Sequence, residues 1–210
     1  MVTYDQLRQN AAVNTYIEEA DRALGALGYT EHSFAHVTHV AKTAGDLLTK
    51  LGYDAHTAEL ARAAGYLHDI GNLVNRVDHS QSGAIMAFRI LDKMGMDARD
   101  IAAVVSAIGN HDEGTGVPIN PIAAALILAD KSDVRRSRVR NPEPSTFDIH
   151  DRVNFSVNDT ALELDAAAKT LTLRLDIDTS CGSVMDFFEI FHVRMSMCKN
   201  AARTLGLGFG

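Results

Sequence analysis

The chain has 210 residues and a formal net charge of −7, with a composition ordinary for a globular protein. That length suits one large domain or one domain with an appendage, and the charge argues against a general nucleic-acid-binding surface while leaving room for a local basic pocket. Cys181 and Cys198 form neither a disulfide framework nor a CxxC pair, the start MVTYDQLRQN lacks a secretion signal, and no stretch reaches a membrane span, so a cytoplasmic protein without membrane contact is expected.

The first two-thirds reads as consecutive helices. Thr3 can cap a helix running to about Leu27, with Gly28 behind it. Ser33 can cap a second that stops before Gly52, and Asp54 a third that runs into His68 and Asp69. Asp78 can cap a fourth ending at Gly95, and Asp97 opens a fifth ending near Asn110. Asn120-Pro121 opens a sixth, which carries Ile122, Leu126, Ala129 and Asp130. The segment from Asn141 to Pro144 breaks the pattern and reads as an exposed linker. Val153 to Val157 is expected as a short strand. Leu162 and Leu164, then Leu171, Leu173, Leu175 and Ile177, alternate with polar residues around a turn at Ala166 to Thr170. Ser183 and Asp186 start a last helix, through about Thr204, whose Phe187, Phe188, Phe191 and Met195 are expected to pack back on the bundle. The expected class is mainly α: a helical bundle with a small C-terminal antiparallel β excursion and a final helix. Residues 1–140 would form the core, and residues 141–210 the hairpin or small sheet and terminal helix, packed on it as one structural domain.

The chemistry is carried by His68-Asp69-Ile70-Gly71, which ends the apolar stretch Leu60 to Leu67. Neither polar residue can sit unpaired in an apolar interior without a cost of about a few kcal/mol, and a divalent metal is the natural compensation. His36, His79, His111 and Asp130 recur at helix ends on either side, so imidazole and carboxylate ligands are available for two ions. At about 100° per residue, His36 falls at the edge of the apolar arc of Val40, Ala44, Leu47, Leu48 and Leu51, whereas His39 falls among Asp46 and Lys50. His36 is therefore the inward histidine. Asp69, with two oxygens, could bridge two metals. Asp130 follows Ile127-Leu128-Ala129, and its carboxylate must be answered by a metal, Lys131 or an arginine.

The series His36-x-x-x-Val40, His68-Asp69-Ile70-Gly71, His79-x-x-x-Gly83, His111 and Ala129-Asp130-x-x-Asp133 resembles the HD superfamily of metal-dependent phosphohydrolases, over roughly residues 30 to 135. The resemblance implies a helical HD-type core. It implies His36, His68, Asp69 and Asp130 as ligands of a first metal, and His79 and His111 as ligands of a second, with Asp69 bridging. That set is similar to the dinuclear branch, which includes the HD-GYP cyclic dinucleotide phosphodiesterases. Two departures argue against their substrate: Asn72 stands where those proteins have lysine, and no Gly-Tyr-Pro follows His111.

The implied reaction is hydrolysis of a phosphate ester of a nucleotide or other small phosphorylated metabolite, a monoester or a diester, through a metal-activated water. Two divalent ions are expected, with iron or manganese favoured and zinc, cobalt, nickel or magnesium also compatible. Asp69 and Lys131 are the expected catalytic residues, and Lys131, Arg135, Arg136 and Asn72 the expected substrate contacts. A di-iron oxygenase built on the same ligands and a non-catalytic nucleotide sensor are the alternatives. Apolar residues on the hairpin would suit a homodimer.

Overall fold

The computed structural model describes residues 1–210. Nine α-helices and a three-stranded sheet follow in chain order: α1 (Tyr4–Arg8), α2 (Ala11–Ala26), α3 (Phe34–Lys50), α4 (Ala55–Leu67), α5 (His79–Lys93), α6 (Ala98–Gly109), α7 (Pro121–Ser132), α8 (Ile149–Ser156), β1 (Val157–Asp165), β2 (Thr170–Ile177), α9 (Val184–Thr204) and β3 (Gly208–Phe209). The fold class is mainly α with a small sheet and a final helix.

The caps explain most boundaries. Ser33, Asp54, Asp97 and Asn120 each accept a backbone N–H of the helix they open. Asp78 does precede α5, but in the left-handed region (φ 56°) and without a side-chain cap bond. The expected first helix is two. Asn10 interrupts it and recaps α2 by accepting from Ala12 N and Val13 N.

Helix α7 is the hub. It is apolar on all faces from Ile122 to Ala129, so it can only be interior, and α3, α4, α6 and α9 pack around it. Asp130 and Lys131, at its C-terminal end, are buried because the helix that carries them is.

The C-terminal third departs from expectation at one element. Val153–Val157 is not a strand: Asp148 caps α8, which occupies that stretch, and β1 begins only at Val157. Val153 and Val157 pack with Val134, Phe187 and Phe191 in a small second core. The hairpin pairs Leu162 with Leu173 and Leu164 with Leu171. The third strand comes from the chain end, where β3 runs parallel to β2. Met197, Cys198, Ala201 and Ala202 of α9 lie in the same core as the N-terminal helices. No helix is long and apolar enough to cross a membrane.

Candidate metal centre

The functional side chains stand at helix ends, and the ends themselves aim them. The last carbonyls of a helix lack intrahelical donors. His68, after α4, uses one: its Nδ1 bonds the Gly65 carbonyl at 2.8 Å. His111, after α6, bonds the Ile108 carbonyl at 2.6 Å, and His79, at the first position of α5, bonds the Arg76 carbonyl at 3.1 Å. A carbonyl can only accept, so each Nδ1 is the protonated nitrogen and each Nε2 points inward. The His36 Nδ1 instead bonds Asp133 Oδ2 at 2.7 Å.

The inward atoms form two halves around one carboxylate. Asp69 Oδ2 lies 3.4 Å from His36 Nε2 and 3.1 Å from His68 Nε2. Asp130 Oδ1 completes this half, at 3.4 Å from His36 Nε2 and 3.7 Å from His68 Nε2. The other oxygen, Asp69 Oδ1, lies 3.6 Å from His79 Nε2 and 4.0 Å from His111 Nε2, and those two nitrogens are 3.2 Å apart. Ligands bound to one cation by bonds of ~2.0–2.1 Å put neighbouring donor atoms about 3 to 3.4 Å from each other, which the observed spacings approach. Asp69 Oδ2 is buried with no hydrogen-bond partner, although buried carboxylate oxygens are almost always satisfied. The donors and the orphaned oxygen fit a divalent cation in each half.

On the polypeptide alone, protons do part of this work. Burial pulls His68 down, but the nearby carboxylates of Asp69 and Asp130 outweigh it and raise His68 to about 10. Burial works against Asp69 and Asp130 too, yet His68 and His36 hold Asp69, and Lys131 with those histidines holds Asp130, well below the usual carboxylate range. In the other half, burial and then the His68 charge push His111 down to about 3, so it is neutral. A cation entering the first half must therefore displace a proton. Calorimetric titration with Mn2+ in buffers of different ionisation enthalpy is expected to show proton release at pH 7.5, since the carboxylates around them raise both His68 and His36. The release should shrink as the pH is raised through about 10, where His68 has already lost its proton. Enthalpies independent of the buffer would contradict this account.

The centre lies at the floor of a cleft of about 350 Å3. One wall is the segment Leu27–His32 before α3, and the other is formed by α8 and by Phe191 and Arg194 of α9. The C-terminal third, whose role the sequence leaves open, thus supplies a wall of the cleft. Arg76, Lys131, Arg138 and Arg194 line it.

Of the residues expected from the sequence, His36, His68, Asp69, His79, His111 and Asp130 are brought together, and His39 is exposed on the outer side of α3. Lys131 is buried at the cleft, but it is committed to Asp130 at 2.8 Å and Glu113 at 3.5 Å. Three expected substrate contacts lie elsewhere. Asn72 sits beneath Asp69, donating to its carbonyl at 2.9 Å and its Oδ1 at 3.0 Å, so it braces the carboxylate. Arg135 turns to Asp133 and Glu31. Arg136 lies over the Phe155 ring and donates to the Phe155 carbonyl, away from the cleft. The chain leaves α7 at Asp133 and rotates these side chains outward, and Arg138 alone of the run turns back, to donate to the Glu31 and Asp133 carbonyls. Arg76 and Arg194 have no local sequence signal, because they approach from the turn before α5 and from α9. Asp133 was visible as part of a motif, but its partner, His36, is 97 residues away.

Comparison with known proteins agrees with the geometry. The HD domain family model matches residues 33–135. An uncharacterized protein of Methanocaldococcus jannaschii is 30% identical over 171 residues, covering 70% of this chain and 65% of that protein. Ribonuclease Y of Bacillus subtilis is 29% identical over 113 residues, covering 54% of this chain and 20% of ribonuclease Y. The chain therefore spans just under two thirds of the first relative and a fifth of the second. A crystal structure of a predicted HD superfamily hydrolase from an uncultured Thermotogales bacterium is 26% identical with a TM-score of 0.46, covering 59% of this chain and 67% of that one. The family match lies over the helices that gather the six ligand-type residues, so residues 33–135 of this chain form an HD domain.

Proposed function

We propose that the protein is a phosphohydrolase that uses two divalent cations to cleave a phosphate ester of a small metabolite or nucleotide. The observation that carries this reading is the division of the Asp69 carboxylate between two clusters of imidazoles, 3.1 Å from His68 on one side and 3.6 Å from His79 on the other. His36, His68, Asp69 and Asp130 would hold one ion, and His79, His111 and Asp69 the other. A bound cation pair supplies Lewis acidity and lowers the pKa of water. An imidazole-rich set suits manganese, iron or zinc better than magnesium or calcium.

The chain's own residues supply binding and charge. Lys131 and Glu113 fix Asp130 and Arg194: Lys131 bonds Asp130, and Glu113 accepts from Arg194 Nε at 2.9 Å. The terminal amino groups of Arg194 make no other protein hydrogen bond and are free to meet phosphoryl oxygens, where developing negative charge is stabilised most effectively by donors already in place. One terminal nitrogen of Arg76 donates to Asn72 Oδ1 at 3.3 Å and lies 3.4 Å from His79 Nε2, and its other nitrogens are left for a ligand.

Similarity to ribonuclease Y over 113 residues supports a phosphodiester as a second possible bond to be cleaved. The test is metal analysis of protein purified without added metal, followed by phosphomonoesters and phosphodiesters, with His68→Ala as control. Bound transition metal and chelator-sensitive release of phosphate or alcohol are expected, both lost in the variant. Metal-loaded protein inert towards both ester classes would refute the proposal, and oxygen consumption in its place would point to di-iron oxidation.

A further inference from the structure

The cleft is polarised. The metal centre is accompanied by Arg76, Lys131, Arg138 and Arg194, whereas the α8 wall presents, beside His150, the hydrogen-bond acceptors Asp151 and Asn154. Asp151 and Asn154 are both buried, at 7% and 8% exposure, and both line the cleft. They are three residues apart on α8 and so project from the same face. Asn154 spends its Nδ2 on the His150 carbonyl, and its Oδ1 receives no protein donor. The Asp151 carboxylate has one distant side-chain donor, Asn141 Nδ2 at 3.5 Å. These two neighbouring acceptors belong to largely buried side chains and open on the cleft, where a ligand that covers them must bring hydroxyl or N–H groups. Asp148, at the same end of the cleft, adds a second carboxylate, and together with Asp151 it repels a polyphosphate or a second phosphate group there. The cleft volume, about 350 Å3, is at the small end for small-molecule sites and suits one sugar-sized group beside the phosphoryl.

We infer that the substrate is a phosphate monoester of a polyhydroxylated skeleton, a sugar phosphate or the ribose of a mononucleotide, whose phosphoryl group meets the cations while adjacent hydroxyls donate to Asp151 and Asn154. This rests on the phosphohydrolase reading above. The α8 wall then sets specificity, and the metal centre sets the reaction. Neither residue touches the reacting phosphorus, so both are specificity-determining rather than catalytic.

The test compares ribose 5-phosphate with 2-deoxyribose 5-phosphate, which lacks one of the adjacent hydroxyls, and with phosphoethanolamine, which offers an ammonium group. All three are measured by steady-state hydrolysis and by calorimetric binding to the manganese-loaded protein. Ribose 5-phosphate is expected to exceed 2-deoxyribose 5-phosphate by at least about tenfold in kcat/KM, because an acceptor that the bound ligand covers and leaves unpaired is costly. Asp151→Ala should bring that ratio towards one. Equal kcat/KM for the two sugars in the unmodified protein, or a preference for phosphoethanolamine, would overturn the inference without a variant having to fold. If no ester is hydrolysed, the phosphohydrolase reading fails, and the binding measurement still decides this one: tighter binding of ribose 5-phosphate than of its deoxy analogue supports it, and equal binding rejects it.

Discussion

Asp69→Ala is expected to empty both halves of the metal centre together. Its Oδ2 faces His36 and His68 at 3.4 and 3.1 Å, and its Oδ1 faces His79 at 3.6 Å, so no other single residue serves both clusters with separate atoms. Plasma emission analysis after dialysis should find about two metal equivalents in the unmodified protein and close to none in the variant. His79→Ala should behave differently, keeping about one equivalent in the half built by His36, His68 and Asp130. Activity in Asp69→Ala should fall at least about a thousandfold, since metal stabilisation of the reacting group contributes several kcal/mol and each 1.36 kcal/mol is about tenfold in rate. Two equivalents retained by Asp69→Ala would mean that its carboxylate does not bridge. The Asp69→Asn variant, which preserves shape and one neutral oxygen donor, separates loss of charge from loss of packing.

Gly71→Ala should be the most damaging change that removes no ligand. The turn Ile70–Leu73 lies directly against the start of α5, and a Cβ at residue 71 would overlap the His79 carbonyl oxygen and the Gly83 nitrogen. Both obstacles are backbone, so no side chain can rotate out of the way. Overpacking of this kind costs typically about 1–3 kcal/mol and occasionally more. The strain is expected to push α5 outward and draw His79 away from His111, now 3.2 Å from it. A drop in Tm of several degrees and selective loss of one metal equivalent are the expected readings, by calorimetry and metal analysis. Gly83→Ala is milder by the same reasoning, since its added Cβ would meet Gly71 N and the His68 carbonyl oxygen at 3.2 Å. A Gly71→Ala protein with unchanged Tm and metal content would show that the close approach of the turn to α5 carries no functional weight.

The centre also explains why so much polarity is tolerated in this interior. His36, His68, Asp69, His111 and Asp130 are all buried, and on the polypeptide alone they are compensated by one another and by Lys131 and Asp133. Such networks cost stability when one member is removed and its partner is left charged and unpaired. The layout spreads that cost over the ends of α3, α4, α6 and α7, which meet where terminal carbonyls are available to orient rings.

Local signals in the chain determined a large part of this. Caps at Ser33, Asp54, Asp97 and Asn120 set helix starts because each is a bond between near neighbours. Helical phase separated His36 from His39, since inward and outward faces of an amphipathic helix follow from period alone. The hairpin itself was legible from the alternation of Leu162, Leu164, Leu171 and Leu173, whereas its register is a feature of the folded sheet. Tertiary structure decided the rest. Val153 to Val157 reads as a strand by residue type, but it became mostly helix because Asp148 caps it and Val153 finds Phe187 and Phe191 to pack on. Arg135 and Arg136 follow a ligand in sequence yet face away from the cleft, whereas Arg194 and Asp151 are remote in sequence and line it. Ligands of one cluster are legible from the chain because their residue types are costly to bury without a reason. The groups that would hold a substrate are ordinary surface residues in any one segment, and only the packing of α8 and α9 over the centre turns them into the walls of a site.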